Sequence, residues 1–339
     1  MRYMMKAVLM NACGGPEVLS YEDVPNPSIR DETEVLVKLK AAGINPVDAK
    51  QRHRGTWYPS DPPNILGLDG AGIVEEIADG VRGFNKGDEV YFAHGGVGKE
   101  PGNYAEYTMV PERFLAHKPQ SISFVEAAAA PSVLITAWDS LFHHGNLEAG
   151  QSVLVHAGAG GVGHVAVQLA QTKGARVFTT VAGDHQADFV SQLGVEDAIN
   201  VQKQDFVKEV LDRTDGNGVD LVIDLVGKET LFKSFSALRC YGQLVALLKP
   251  EPEFADWSEA RLKNLKISYE LMLTPMYYNL IDDQIRQTQI LTDCAQLFAD
   301  NHLTIQVSHT YPLSMASDAH RQIERGDTIG KIVLLIQEE

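Results

Sequence analysis

Cysteine is nearly absent: Cys13, Cys240 and Cys294 are the only three in 339 residues, they lie far apart, and no CxxC pair occurs. That scarcity speaks against a disulfide framework and a cysteine-based structural zinc site, and it suits a reducing, cytoplasmic compartment. Positive charge is also in short supply. Twenty-nine Lys and Arg stand against forty-five Asp and Glu, a net charge of −16, which repels phosphate backbones and acidic membrane surfaces, so nucleic acid is not an expected partner. Long apolar runs are missing as well. The stretch from Met1 to Asn11 lacks the apolar core of a signal peptide, and no later run approaches the length of a membrane span, so a soluble protein with no membrane partner is expected. Internal repeats and low-complexity segments are not evident. What remains is the composition of a globular protein, 44% apolar and 22% charged, long enough for two domains with sizeable cores.

Up to about Phe124 the chain reads as short strands between turn-rich loops. Val35, Val37 and Leu39 alternate with other residues, and apolar runs follow at 71–77, 89–92 and 104–110. Prolines at 16, 25, 27, 46, 59, 62, 63, 101, 111 and 119 rule out long helices there. The texture changes at Ser123, where Ser123 and Glu126 have capping-box spacing, Pro131 interrupts, and a second helical run covers 132–143. Beyond it, candidate strands at 152–156, 176–181, 197–200, 220–224, 243–247 and 266–270 alternate with helical stretches at 162–173, 186–193, 204–213 and 228–238. That alternation predicts an α/β fold with a doubly wound parallel sheet. The tail predicts a helix at 280–300, a strand at 305–310, a helix at 315–325 and a strand at 331–336. The expected organisation is therefore a β-rich domain over 1–124, a dinucleotide-binding domain over 125–272, and a return of 273–339 to the first domain.

The central stretch runs from Ser152 to Ala170, an apolar β-branched segment that passes through glycines into an amphipathic helix. Gly158, Gly160 and Gly163 have GxGxxG spacing, with Gly161 and Val162 opening the helix. The first glycine allows a tight turn, the second lets backbone approach a pyrophosphate, and the third lets helix pack on strand. A dinucleotide phosphate would sit on the helix N-terminus, where free N–H groups and the helix dipole favour an anion. A second glycine cluster, Gly95-Gly-Val-Gly98-Lys99, looks like a phosphate-binding loop but fails, because Ala93 replaces its first glycine and Glu100 the magnesium-holding hydroxyl. It reads as a flexible loop at the edge of a cleft.

Several segments together resemble the zinc-independent medium-chain dehydrogenases/reductases of the quinone oxidoreductase and enone reductase group. They are Gly43-Ile-Asn-Pro-Val-Asp-Ala-Lys50, Gly67-Leu-Asp-Gly-Ala-Gly72, Gly87-Asp-Glu-Val-Tyr91, Tyr104-Ala-Glu-Tyr107, the glycine turn, and 326–336. The resemblance implies a chaperonin-10-like (GroES-like) catalytic domain built from both ends of the chain, with a Rossmann domain inserted. It also implies a homodimer. Zinc-dependent relatives place a cysteine where this chain has Asn45 and a histidine where it has Leu68, and neither an amide nor an isobutyl group replaces those ligands, so no metal is expected. His53, His94, His143 and His144 read as surface or loop residues.

By the same resemblance, Asn45, Asp48 and Lys50 form the catalytic wall of a cleft that holds the nicotinamide. Lys50 would reach its ribose, and Asn45 would face a developing oxyanion or its water. The competing account makes Asn-Pro a turn starter and Asp48 a helix cap. Arg52, His53 and Arg54 read as a solvated basic edge. Thr136 would lie near the ribose or pyrophosphate, or else bond to its own helix. Val226, Gly227 and Leu247, at the carboxyl ends of two strands, would line the nicotinamide. Lys331 would touch a cofactor phosphate, or else be a strand-edge lysine. At the end of the second strand, beside Gly183 of the expected cofactor site, Ala182 stands where an NAD-preferring relative carries an acid; Asp184, two residues on, could partly restore NAD use, and Gln186 and Val201 replace the residues that would grip a 2′-phosphate. NADPH is the expected cofactor, with NADH possible, and a quinone or enone the expected substrate. The other open readings are a reductase of other activated carbonyls and a nicotinamide-nucleotide binding protein with a structural or regulatory role and little catalysis.

Overall fold

Up to residue 120 the proline-rich sequence builds strands and, among the described residues, only one helix longer than a single turn, as its breakers dictate. The computed structural model describes residues 4–58 and 64–336, so Pro59, Pro62 and Pro63 lie outside the described residues. In chain order come β1 (Met4–Met10), β2 (Leu19–Pro25), β3 (Glu34–Ile44), α1 (Pro46–Arg54), β4 (Asn64–Ile65), β5 (Asp69–Ile77), β6 (Glu89–Ala93), β7 (Tyr107–Pro111), β8 (Ala116–His117), α2 (Phe124–Ala129) and α3 (Pro131–Trp138). The inserted portion follows as β9 (Ser152–Val155), α4 (Gly161–Thr172), β10 (Arg176–Val181), α5 (Asp184–Gln192), β11 (Asp197–Asn200), α6 (Phe206–Arg213), β12 (Val219–Asp224), α7 (Lys228–Ala237), β13 (Leu238–Ala246), α8 (Ser258–Leu262) and β14 (Lys266–Tyr269). The tail supplies α9 (Thr274–Tyr277), α10 (Ile281–Ala299), β15 (Val307–Pro312), α11 (Ala316–Arg325) and β16 (Lys331–Leu335).

The polypeptide divides into two units, Met1–Ser132 with Leu273–Glu339, and Val133–Met272. The break falls eight residues beyond the 124/125 boundary read from the sequence, because α2 packs on β3, β5 and β16 of the first unit. Gly43 permits that close approach: a Cβ there would lie 2.2 Å from the Ala128 carbonyl oxygen. The capping box is present, with the Ser123 hydroxyl accepting from the Glu126 N–H at 3.2 Å and the Glu126 carboxylate accepting from the Ser123 N–H at 2.8 Å. Pro131 begins α3 instead of merely interrupting, which suits the first helical turn, where its missing N–H costs nothing. The predicted run to 143 then finishes as a π-helical segment, Asp139–His144.

In the first unit a seven-stranded sheet runs β15-β16-β3-β5-β6-β8 with β7 also on β3, and a three-stranded sheet runs β2-β1-β4. This is the GroES-like architecture. The strand predicted over 104–110 starts only at Tyr107. In the second unit the sheet order is β11-β10-β9-β12-β13-β14, all parallel, which is the Rossmann order. Leu154, Phe178, Val222 and Leu244 in its strands are completely buried, as expected where helices cover both faces. The direction of winding reverses between β9 and β12, so a crevice opens at their carboxyl ends.

Candidate active site

The glycine turn sits at that reversal, between β9 and α4, and its three glycines are constrained differently. A Cβ on Gly158 would lie 1.9 Å from Thr179 Oγ1, and one on Gly163 would lie 2.1 Å from the Ala157 carbonyl oxygen. Both positions are glycine because the protein itself fills the space. Gly160 differs. Its backbone is extended (φ −76°, ψ 178°), which any residue adopts, and its nearest prospective contact is the Ala157 oxygen at 3.3 Å. Nothing in the chain strictly requires glycine there, so the opening fits an external group drawn up to the N-terminus of α4, as a dinucleotide pyrophosphate would be. Gly161 and Val162 are half-buried in the first turn of that helix. His156, just before the turn, is buried with Nδ1 3.0 Å from Thr180 Oγ1 and Nε2 2.9 Å from Ser234 Oγ; burial pushes its pKa down to about 3, so it is a neutral anchor.

The neighbouring strand ends are drawn together. The buried Asp224 carboxylate accepts from the Val226 N–H at 3.1 Å and the Gly227 N–H at 3.0 Å, while the Leu247 N–H donates to the Asp224 carbonyl at 3.1 Å. Val226, Gly227 and Leu247 therefore share one edge, with Val226 40% exposed. Thr136 is buried on α3. At the end of β10, Ala182 is exposed and its N–H donates to Gln186 Oε1 at 2.8 Å, with Gly183 beside it. Asp184 is held by Lys203 Nζ at 2.7 Å and Asn200 Nδ2 at 2.9 Å. Lys203 is a cation that the sequence reading missed; it follows β11, and only the parallel pairing of β10 with β11 brings it there.

In the first unit the resemblance-derived residues form a buried polar cluster. Asn45 Nδ2 donates to Asp69 Oδ2 at 2.8 Å and approaches Ser132 Oγ at 3.5 Å. The Ser132 N–H and hydroxyl both donate to Asp69 Oδ1, at 3.0 and 2.5 Å. Lys331 is not a strand-edge lysine, since β16 lies between β15 and β3; its Nζ donates to the Ile44 carbonyl at 3.0 Å and to Asn45 Oδ1, 3.8 Å from Asp69. With that amine only 4% exposed, it serves Asn45 and Asp69 in place of the phosphate that the resemblance suggests. Burial raises the Asp69 pKa and lowers that of Lys331, in each case against the attraction between them. Asp48 Oδ2 accepts from the Asn45 N–H at 2.9 Å and from the Tyr104 hydroxyl at 3.0 Å, so Asp48 does cap α1 and also joins the cluster.

Lys50 does not join them. It is exposed on α1, beside a shallow cavity shared with His53, Arg54 and Glu324. Arg52 corrects the expectation of a solvated edge: it is completely buried, with Nε donating to the Gly14 carbonyl at 3.0 Å and Nη2 to Glu324. The loop at 95–99 is also unlike the flexible edge expected, since Gly95, Gly96 and Val97 are buried and the Tyr58 N–H donates to the Val97 carbonyl at 3.1 Å. His94 is likewise buried, stacked on Phe114 with centroids 5.2 Å apart. Among the described residues no group of three or more His, Cys, Asp or Glu side chains is arranged to hold a metal ion. No described helix is long and apolar enough to cross a membrane.

Comparison with known proteins finds matches in both units. Residues 31–120 match the alcohol dehydrogenase GroES-like domain, and residues 193–334 match the zinc-binding dehydrogenase family model. A quinone oxidoreductase of Pseudomonas aeruginosa is 31% identical over 98% of this chain and 100% of its own length. A 2-haloacrylate reductase of a Burkholderia species is 30% identical, again over 98% of this chain and 100% of its own. The solved quinone oxidoreductase of Coxiella burnetii is 32% identical, with a TM-score of 0.84 over 99% of this chain and 100% of that one.

Proposed function

The chain belongs to the medium-chain dehydrogenase/reductase family, in its quinone oxidoreductase group, and from that premise we propose that this oxidoreductase delivers hydride from NADPH, and less readily NADH, to quinones or α,β-unsaturated carbonyls. The family implies a nicotinamide cofactor and a small-molecule substrate. The observation that carries the reading is the opening at Gly160, kept clear at the N-terminus of α4 although the fold does not demand it.

Once bound, a reduced nicotinamide supplies a hydride, and the chain's own residues supply position and polarity. Gly158 to Gly163 hold the pyrophosphate, with Thr136 nearby, and the edge formed by Val226, Gly227 and Leu247 orients the nicotinamide. Ala182 and Gly183 leave room for the adenosine ribose. Lys203 beside Asp184 is the basic group that favours a 2′-phosphate, which supports NADPH. Lys50, exposed on α1, takes the nicotinamide ribose. Asn45 is fixed on three sides, and its second amide hydrogen, which meets Ser132 Oγ only at 3.5 Å, is the one left for a substrate oxygen or its water. Protonation of the product comes from solvent or from a water held near Asn45 or Asp48. A conjugated carbonyl is already polarised, which suits a site whose ligand positions hold Asn45 and Leu68.

The edge strand β14 and the exposed Tyr241, Tyr269 and Leu271 of the second unit support a homodimer formed through the Rossmann domain. NADPH consumption with a panel of quinones and enones tests the proposal. Tight NADPH binding without turnover of any acceptor would replace it with the nucleotide-binding reading.

A further inference from the structure

Behind Asn45, a chain of buried polar groups runs from α11 to Asp48, and the mechanism above uses only its last member. Arg52 Nη1 lies 3.1 Å from His320 Nδ1, His320 Nε2 lies 3.3 Å from the Tyr104 hydroxyl, and that hydroxyl lies 3.0 Å from Asp48 Oδ2. At its outer end Arg52 pairs with Glu324. Arg52, His320, Tyr104 and Asp48 are all completely buried. They come from α1, α11 and the segment before β7, so the arrangement exists only in the folded unit.

The chemistry of arginine gives this chain a direction. A guanidinium is a donor only and does not release its proton, so His320 Nδ1 must accept from Arg52. Burial, reinforced by the Arg52 charge, pushes the His320 pKa down to about 3, so the ring is neutral and its one proton is on Nε2. Nε2 then donates to the Tyr104 oxygen, and the Tyr104 hydroxyl donates to Asp48. Every donor faces the carboxylate. A proton conduit would need an outer end able to give up a proton, and Arg52 is not one.

We infer that Arg52, His320 and Tyr104 are positioning residues that keep Asp48 a hydrogen-bond acceptor, and that Asp48 thereby fixes the Asn45 backbone and the amide it presents. The part of this inference that concerns turnover rests on the reductase reading above. The groups that face Asp48 are the Asn45 N–H and Tyr104 hydroxyl as donors, Asp69 on β5 as a like charge and Lys331 on β16 as an opposite one. Burial pushes the Asp48 carboxyl up to about 7, and the two donors oppose that rise. Its Oδ1 is buried without a hydrogen-bond partner, so the anion depends on what reaches Oδ2. As pH falls through this range Asp48 takes up a proton, its hold on the Asn45 N–H weakens, and turnover should decline on the acid side.

The test follows the Asp48 carboxyl by infrared difference titration of the full-length chain, with Asp48→Asn as the blank, beside the pH profile of kcat/KM for NADPH and a quinone. Tyr104→Phe and His320→Leu each withdraw donor support and should raise the carboxyl midpoint by about one pH unit. The acid limb of kcat/KM should move up with it. His320→Gln, whose amide still reaches Tyr104, should restore the wild-type midpoint. If Tyr104→Phe does not fold, His320→Asn, which faces Arg52 but falls short of Tyr104, serves the same purpose. A midpoint unchanged in folded variants overturns the inference, as does an acid limb that stays in place while the midpoint moves. If no acceptor is reduced at all, the reductase reading fails, and the infrared titration still decides whether this chain governs Asp48.

Discussion

Gly160 and Gly163 are three residues apart in one turn, and the same alanine substitution should damage different properties at each. At Gly163 the new methyl would sit 2.1 Å from the Ala157 carbonyl oxygen and 2.8 Å from the Gly158 Cα, so α4 must withdraw from the turn. Overpacking of this kind costs about 3 kcal/mol, offset by about 1 kcal/mol of improved helix propensity, a net loss of about 2 kcal/mol. For a unit of this size the melting temperature should fall by roughly 4–8 °C. At Gly160 the methyl has an extended backbone and a nearest neighbour at 3.3 Å, so the fold should lose less than about 1 kcal/mol. If the pyrophosphate is drawn up to Gly160 as proposed, the same methyl intrudes on it, and NADPH affinity should fall at least about tenfold, equivalent to about 1.4 kcal/mol. Thermal unfolding of the cofactor-free variants and calorimetric titration with NADPH separate the two effects. Undiminished NADPH affinity in Gly160→Ala, or wild-type stability in Gly163→Ala, would refute the assignment of roles in the turn.

Lys203→Ala should reduce the preference for NADPH over NADH by about tenfold in kcat/KM, because it removes the basic group beside Asp184; an unchanged ratio would place the 2′-phosphate elsewhere. Asp48 has a folded pKa of about 7 against an unfolded value near 3.9, so the stability that its protonation contributes is fully present below about pH 4 and is lost as pH rises from there through 7. Denaturant titrations should therefore show wild-type stability declining from pH 5 to pH 8 more steeply than in Asp48→Asn. Lys331→Met should destabilise the first unit by about 3 kcal/mol, since it leaves the Asp69 carboxylate buried without its cation. Adding Asp69→Asn to Lys331→Met should recover much of that loss in a chemical-denaturation double-mutant cycle.

Periodicity carried most of the second unit. The run from β9 to β14 alternates apolar segments with amphipathic ones, and each predicted strand overlaps an observed one because a parallel sheet covered on both faces leaves little freedom of register. The glycine turn was legible for the same local reason, since sequence spacing alone sets which glycine meets strand, opening or helix. What local pattern could not reveal was depth. Arg52 lies in a run of three basic residues that looks solvated, yet His320 and Glu324, far along the chain, enclose it. Lys331 reads as an ordinary strand lysine until the return of the tail sets it against Asn45. Tyr104 and Asp69 stood within segments that carried the resemblance, but their chemistry appears only when β5, β16 and α11 converge. Lys203 escaped notice because its partner Asp184 belongs to the preceding βα unit. Contacts between residues distant in sequence created each of these features, and the local signal for them was slight.

In the proposed reaction, reduced dinucleotide held at the Gly158–Gly163 turn passes hydride directly to an electrophilic carbon or quinone. NADPH labelled with deuterium at the transferable C4 position, mixed anaerobically with an enone that the protein turns over, tests it most directly. A primary isotope effect on the reductive step and one deuterium on the β-carbon of the product are expected. Product formed without the label would contradict it.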